Sequence, residues 1–152
     1  MARPQPRMGT EGDVIGARIL AYIVDTVVIG VVVFALALVF GLLGAGFGSR
    51  GVFGAGLLVA GLVGLLLQFG YFIYFEGKSG QTPGKRLLDI VVVHEDGSAC
   101  DYGSATVRNL LRIVDQLGIV IPYLVALILI FLTDDNQRIG DIVADTVVVK
   151  AE

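Results

Sequence analysis

The sequence has few of the residues that build disulfides, metal sites and charged surfaces. Cys100 is the only cysteine and His94 the only histidine. One cysteine cannot form a disulfide within the chain, and this pair lacks the spacing of metal ligands, so we expect no metal and no other cofactor. Charged residues make up only 16% of the sequence and the net charge is −3, which argues against a nucleic-acid partner.

Catalytic and nucleotide-binding patterns are also missing. Residues 46–51 have the spacing of a dinucleotide-binding fingerprint, but no strand precedes them, so we interpret them as a turn. Residues 80–85 resemble a phosphate-binding loop, but they are one residue short and Arg86 stands where Ser or Thr is required. With no visible pairing of a nucleophile and a base, we expect that the protein is not an enzyme.

Apolar side chains, in contrast, are abundant and occur in long uncharged runs. The hydrophobic fraction is 55% and the mean hydropathy is +0.83. Residues 26–49 and 51–75 contain no charged residue, and a bilayer core about 30 Å thick needs about 20 such residues in a helix. The sequence therefore predicts transmembrane helices at residues 14–43 and 52–75. The first run is too long for a cleaved signal peptide, whose apolar region has about 7–15 residues.

A third uncharged run is shorter and has two interpretations. Residues 118–133 contain Pro122, and proline breaks a helix by removing a donor and clashing with the preceding turn. If this segment spans the membrane, the C-terminal tail lies on the outside. If it re-enters, the tail returns to the side from which the segment started. The short run and its proline favour the re-entrant alternative.

The remaining segments are polar. Residues 1–13 have no periodicity and are predicted to be a flexible tail. Residues 76–117 are predicted to form a loop followed by an amphipathic helix, and residues 134–152 a C-terminal tail. If the third segment re-enters, the β-branched residues 146–150 can pair with residues 88–93. The predicted fold is an all-α membrane protein with two long transmembrane helices, a cytoplasmic amphipathic helix, a third short hydrophobic segment and a small β-pairing.

The basic residues predict the orientation of the chain. They lie before the first helix and after the second, whereas only Arg50 lies between the two helices. Because cytoplasmic segments carry the excess of lysine and arginine, we expect a multi-pass protein of the cell membrane with a cytoplasmic N-terminus. The expected partners are the lipid bilayer and either further copies of the chain or another membrane protein.

Arg18 and Asp25 are unusual because they lie within the first predicted span. Arg18 can extend to the headgroups, but Asp25 is about 10 Å further along the helix at about 1.5 Å per residue. A carboxylate at membrane depth costs about 2.5–3.5 kcal/mol on insertion scales. We therefore expect Asp25 to face protein or water and to be either paired or protonated.

A second segment of the chain has the same charge pattern. Residues 18–25 match residues 108–115 at five of eight positions, including the terminal arginine and aspartate. This match suggests a set in which Asp25 meets Arg108 or Arg112, and Arg18 meets Asp115 or Asp141. The candidate buried charges are Arg18, Asp25, Arg108, Arg112, Asp115 and Asp141.

Small residues at four-residue spacing mark a packing face on the second helix. Gly56, Ala60 and Gly64 form such a ladder, and small residues let a neighbouring helix approach closely. The neighbour is either the first helix or a second copy of the chain, with the first helix favoured.

These blocks together resemble the RDD family of membrane proteins, named for one arginine and two aspartates. The resemblance rests on Arg18 and Asp25, on the loop motif Gln81, Thr82, Pro83, Gly84 and Lys85, and on segments 108–112 and 138–141. It covers most of the chain from residue 16 onwards. Asp141, or alternatively Asp115, would be the second aspartate. The resemblance implies a membrane location and a usual expectation of transport.

Two functions remain open at this point. In the first, the buried charges serve transport of a small ion or solute, with Asp25 as the titrating carboxylate and an oligomer enclosing the pathway. In the second, the protein is a non-enzymatic scaffold or accessory subunit, and the same charges are structural. The ligand cannot be identified from the sequence.

Overall fold

The computed structural model describes residues 3–46, 50–116, 124–133 and 135–152. Its α-helices are α1 (Ile15–Gly46), α2 (Arg50–Ser79), α3 (Pro83–Leu87), α4 (Tyr102–Gln116), α5 (Leu124–Leu132) and α6 (Ile139–Val143). Its strands are β1 (Pro6–Arg7), β2 (Ile90–His94) and β3 (Thr146–Ala151). The chain is therefore mostly helical with one small sheet.

The two long helices α1 and α2 pack against each other as a hairpin. Both are long and apolar enough to cross a membrane. Their outer faces carry large apolar side chains, including Leu42, Leu58 and Leu66, each 72% exposed. Soluble proteins rarely expose continuous apolar surface of this extent. Both helices are also longer than predicted, and the extra turn of α2 keeps Glu76 in the helix.

The small-residue ladder lies on the side of α2 that faces α1. A Cβ atom added to Gly56 would lie 3.1 Å from Cβ of Phe40, and one added to Gly64 would lie 3.0 Å from Cγ2 of Val33. Ala60, between the two glycines, is buried. These residues therefore allow close packing within the hairpin.

The sheet has the strand order β1-β3-β2, and both pairs are antiparallel. Ile90 pairs with Lys150 and His94 with Thr146, close to the pairing of segments expected from the sequence. The N-terminal segment differs from its expected flexible tail. Pro6 and Arg7 pair with the end of β3, and the Thr10 hydroxyl accepts a hydrogen bond from the Lys150 amide at 2.9 Å.

Shorter helices connect the hairpin to the sheet. Helix α3 lies in the segment expected to be a loop, and it packs against α1. Helix α4 is the predicted amphipathic helix and contacts both α2 and α6. Pro122, on which the choice between a spanning and a re-entrant segment depends, lies outside the described residues.

Enlarging a ladder glycine should loosen the hairpin. Gly64→Val adds side-chain atoms against Val33 and should destabilise the protein by about 1–3 kcal/mol, the usual cost of overpacking. Thermal unfolding in detergent, followed by circular dichroism, measures this change. Gly61→Val is the matched control because nothing lies within 4 Å of a Cβ at Gly61. Equal melting temperatures for the two variants would contradict the assigned packing face.

Candidate functional site

Asp141 is fully buried at the start of α6 and is surrounded by guanidinium groups. Its Oδ1 lies 3.1 Å from Nη2 of Arg108 and 3.3 Å from Nη2 of Arg138. Its Oδ2 pairs with Arg18 and also accepts the Arg138 amide at 3.2 Å. One carboxylate thus joins α1, α4 and α6.

The surroundings of Asp141 keep it ionised. Burial opposes ionisation, but the positive charges of Arg108, Arg138 and Arg18 outweigh it and hold the pKa of this carboxyl well below its usual range. Close packing makes these contacts possible. A Cβ on the neighbouring Gly140 would lie only 2.6 Å from the carbonyl oxygen of Arg108, so a larger residue would push α6 away from α4.

Glu76 is the second buried anion of this network. Its Oε1 lies 2.6 Å from Nζ of Lys85, and its Oε2 lies 3.5 Å from Nε of Arg108. Oε2 also accepts a hydrogen bond from Nδ2 of Asn109 at 3.1 Å. Arg108 therefore bridges Glu76 and Asp141. Burial lowers the pKa of Lys85 to about 8, although the Glu76 carboxylate opposes this shift.

The loop motif, residues 81–85, leads into α3. Its residues contact the buried charges, α1 or strand β2. The Thr82 hydroxyl caps α3 by accepting the Lys85 amide at 3.2 Å, and Pro83 follows at the first helical position, where its fixed φ suits a helix. Gln81 donates from Nε2 to the carbonyl oxygen of Ile90 at 3.0 Å. A Cβ on Gly84 would lie 2.9 Å from Cγ of Asp25, so glycine allows α3 to approach α1.

Asp25 is fully buried and accepts hydrogen bonds from three donors. The Tyr71 hydroxyl and the Gly84 amide each donate to its Oδ1 at 2.8 Å, and the Thr82 hydroxyl donates to its Oδ2 at 2.5 Å. The expected arginine partners are replaced by two hydroxyls and a backbone amide. These contacts join α1, α2 and α3.

Arg112 is buried on α4, and its guanidinium lies against aromatic rings. Its Cζ is 4.0 Å from the ring centroid of Phe72 and 5.3 Å from that of Tyr22, at distances typical of cation–π contacts. Its Nε and Nη1 have no hydrogen-bond partner among the described residues. Burial lowers the pKa of Arg112 to about 10, so the group is charged at neutral pH.

The network borders a cavity of about 240 Å³. Its basic lining side chains are Arg18, Lys85, Arg108, Arg112 and Arg138, and Asp25 also lies on its wall. Apolar side chains, among them Ile19 and Ile130, complete the lining. The cavity lies where the membrane helices meet the sheet and the short helices.

The structure brings five of the six candidate charges to this region. Asp115 is on α4, but its side chain is outside the part of the chain that the structure describes. The sequence did not indicate Glu76 or Tyr71 as site residues, although they contact Arg108 and Asp25. Arg138 and Asn109 belong to the quoted family segments without having been named as candidates; Arg138 contacts Asp141, and Asn109 contacts Glu76. The position of Glu76, as the first charged residue after the second apolar run, was the signal available for it.

Two apolar helices above a buried network of arginines and acids define a helical membrane protein with an internal charge cluster. The RDD family model matches residues 14–145. The chain therefore belongs to the RDD family, whose members are membrane proteins. Searches of curated proteins and of solved structures give no significant match.

Removing the charge of Asp141 should strongly destabilise the protein. Asp141→Asn leaves Arg18 and Arg108 with one fewer buried anion, and breaking a buried pair costs about 3–5 kcal/mol. Asp145→Asn is the control, since Asp145 is exposed and asparagine tolerates its φ of 47°. Thermal unfolding at neutral pH should separate the two variants clearly, and similar melting temperatures would contradict this role.

The same variant should show a weaker dependence of stability on pH. The folded pKa of Asp141 is below its ordinary value of 3.8, so its stabilising contribution is present above that value and is lost as the pH falls through the folded pKa. The melting temperatures of wild type and Asp141→Asn should therefore begin to converge as the pH falls below about 4, near the ordinary aspartate pKa, and should continue to converge at lower pH. A constant difference would show that ionisation of Asp141 is unimportant.

Proposed function

We propose that this chain is a subunit of an oligomeric transporter of small ions or solutes in the cell membrane. The observation that supports it is the cavity lined by buried charges beside two membrane helices. Charged side chains near membrane depth are costly and usually serve a pathway or a binding site. A hairpin of two long helices cannot enclose a pathway by itself, so further copies or a partner must complete it.

We also infer a topology with the sheet and the short helices on the cytoplasmic side. Strand β1 precedes α1, β2 follows α2 and β3 follows α5, yet all three belong to one sheet. If α1 and α2 each cross the membrane, the sheet can form only when the segment from 118 to 133 returns to its starting side. The excess of lysine and arginine outside the hairpin turn supports a cytoplasmic location for that side.

This topology predicts where epitope tags can be labelled in intact cells. A C-terminal tag should be protected from a membrane-impermeant reagent and should become reactive after permeabilisation. A tag inserted at residue 48, between the end of α1 and the start of α2, is the control and should react from outside. Labelling of the C-terminal tag in intact cells would overturn the re-entrant arrangement.

Asp25 is the best candidate for a residue that acts in transport. Among the described residues it is the one acidic side chain on the cavity wall, and its three partners are all hydrogen-bond donors. A cation or proton that reaches the cavity would meet this carboxylate at the level where α1 enters the membrane. Its contacts with α3 also link any change of charge to the cytoplasmic layer.

Flux measurements in proteoliposomes test this role. Asp25→Asn should reduce the flux of sodium, potassium or protons by at least about tenfold, as expected when a general acid or ion ligand is removed. Asp96→Asn is the control because Asp96 is exposed and is not among the residues that line the cavity. Flux is compared per folded protein after size-exclusion chromatography. Equal flux in both variants would remove Asp25 from the mechanism.

A non-enzymatic scaffold is the second candidate, and it also has a specific observation in its favour. Arg18, Arg108 and Lys85 are all paired with Asp141 or Glu76, as expected of internal struts. A scaffold predicts that Asp25→Asn lowers thermal stability and cellular abundance while ion flux stays at the level of protein-free liposomes for every variant.

A further inference from the structure

Helix α4 has its polar and apolar faces reversed relative to a helix on the surface of a soluble protein. Its inner face includes Arg108, Asn109 and Arg112, which are all buried. Its outer face includes Leu110, which is 50% exposed, and Ile113, which is 46% exposed. A surface helix in water normally turns its apolar face to the core and its polar face outward. The reversed pattern is expected where apolar surroundings replace water, because charged side chains of membrane helices face the protein interior.

The contacts between α4 and α2 move along α2 from its end towards its middle. Tyr102, the first residue of α4, packs against Gly77, where an added Cβ atom would overlap the tyrosine ring. Further along α4, Cζ of Arg112 lies 4.0 Å from the ring centroid of Phe72. Later residues of α4 therefore contact earlier residues of α2, and α4 runs back along α2.

Ile113 extends this contact to a part of α2 that lies deep in the predicted span. It lines a small cavity of about 50 Å³ together with Leu65 and Phe69 of α2. Leu65 precedes Tyr71, a partner of Asp25, by six residues. At about 1.5 Å per residue, this places Leu65 about 9 Å deeper in the membrane than Tyr71. The second half of α4 therefore lies at a depth where lipid surrounds α2.

The outer face of α4 continues the apolar surface of α2. Leu65 and Leu66 are exposed on α2, and Ile113 lies beside Leu65 at the same small cavity. Val107 and Leu110 extend the exposed apolar surface back along α4. Because one apolar surface covers both helices, the lipid that surrounds α2 also reaches α4.

We propose that α4 enters the bilayer beside α2 and that lipid acyl chains cover its outer face, formed by Val107, Leu110 and Ile113. Acyl chains suit these side chains, which expose more apolar surface than soluble proteins usually do. The buried face of α4 meanwhile keeps its guanidinium groups inside the protein, away from lipid. This position differs from the wholly cytoplasmic helix expected from the sequence, since α4 starts on one side of the membrane and ends within it.

This inference goes beyond the transport proposal and does not depend on it. It requires only that α1 and α2 cross the bilayer, whichever side is cytoplasmic. Fluorescence data that contradict it would leave the flux and tag-labelling predictions unchanged, so the failure of one proposal is distinguishable from the failure of the other.

Tryptophan fluorescence in lipid vesicles measures what surrounds α4. The chain has no tryptophan, so a single introduced tryptophan is the only indole in the protein. Full-length Ile113→Trp is reconstituted in phosphatidylcholine brominated at the middle of its acyl chains, because bromine quenches an indole that it contacts. This variant should lose as large a fraction of its emission as Leu66→Trp, a control at similar depth on the exposed surface of α2. Asp96→Trp, in the exposed turn after β2, should be quenched only by aqueous iodide.

Tyr102→Trp is the matched control on α4 itself and tests the descent of the helix. Tyr102 is also 50% exposed, but it lies at the end of α2 beside Gly77. Quenching by the brominated chains should therefore increase from Tyr102→Trp to Leu110→Trp and again to Ile113→Trp. Equal quenching at the three positions would show that α4 lies flat at the membrane surface, and would overturn its entry into the bilayer.

Two other results would overturn the assignment to lipid. Quenching of Ile113→Trp by iodide and not by brominated lipid would show that water covers the outer face. Quenching by neither reagent would show that a second copy or another protein covers it. Leu110→Trp keeps the test informative if Ile113→Trp fails to fold, as judged by size-exclusion chromatography and circular dichroism.

Discussion

The arrangement of the short helices and the sheet depends on one buried guanidinium, that of Arg108. It contacts Glu76 of α2 and Asp141 of α6, and it donates to the hydroxyl of Thr146 in β3 at 2.5 Å. Removing such a charge from water costs several kcal/mol, which is recovered only when partners surround it with good geometry. The helices that supply these partners therefore have little freedom to shift, and the contact positions α2, α6 and β3 around α4.

The lipid environment explains why the charges gather at one end of the molecule. Between Asp25 and Lys78 the two long helices carry only Glu76 and Arg50 as charged residues, because a charge at greater depth would cost too much. Asp25 is the last charged residue of α1 before the uncharged part of the hairpin. Its partners come from the last turns of α2 and from α3 with its N-cap residue Thr82, so the carboxylate that is most expensive in lipid also attaches the short helices to the hairpin.

Helices and strands that extend over many residues could be predicted from the sequence. Individual side-chain contacts between residues far apart in the sequence could not. The runs that form α1 and α2, the periodicity of α4 and the β-branched residues of β2 and β3 are properties of continuous segments. Strand β1 has two residues, one of them Pro6, too few for a pattern. The partners of Asp25 could not be predicted because they are neutral hydroxyls and a backbone amide. Such groups are common in the sequence, and none of them is marked as a partner by its charge.

The matched charge pairs in segments 18–25 and 108–115 suggested a symmetrical exchange of partners, but the described contacts are not symmetrical. Arg18 pairs with Asp141, whereas Arg108 serves both Asp141 and Glu76. Arg112 makes aromatic contacts in place of an ion pair with Asp25. The rings of Phe72 and Tyr22 offset part of the cost of burying this guanidinium, because a cation over an aromatic face is attracted to it. The repeated charge pattern therefore places similar side chains on α1 and α4 without giving them similar partners.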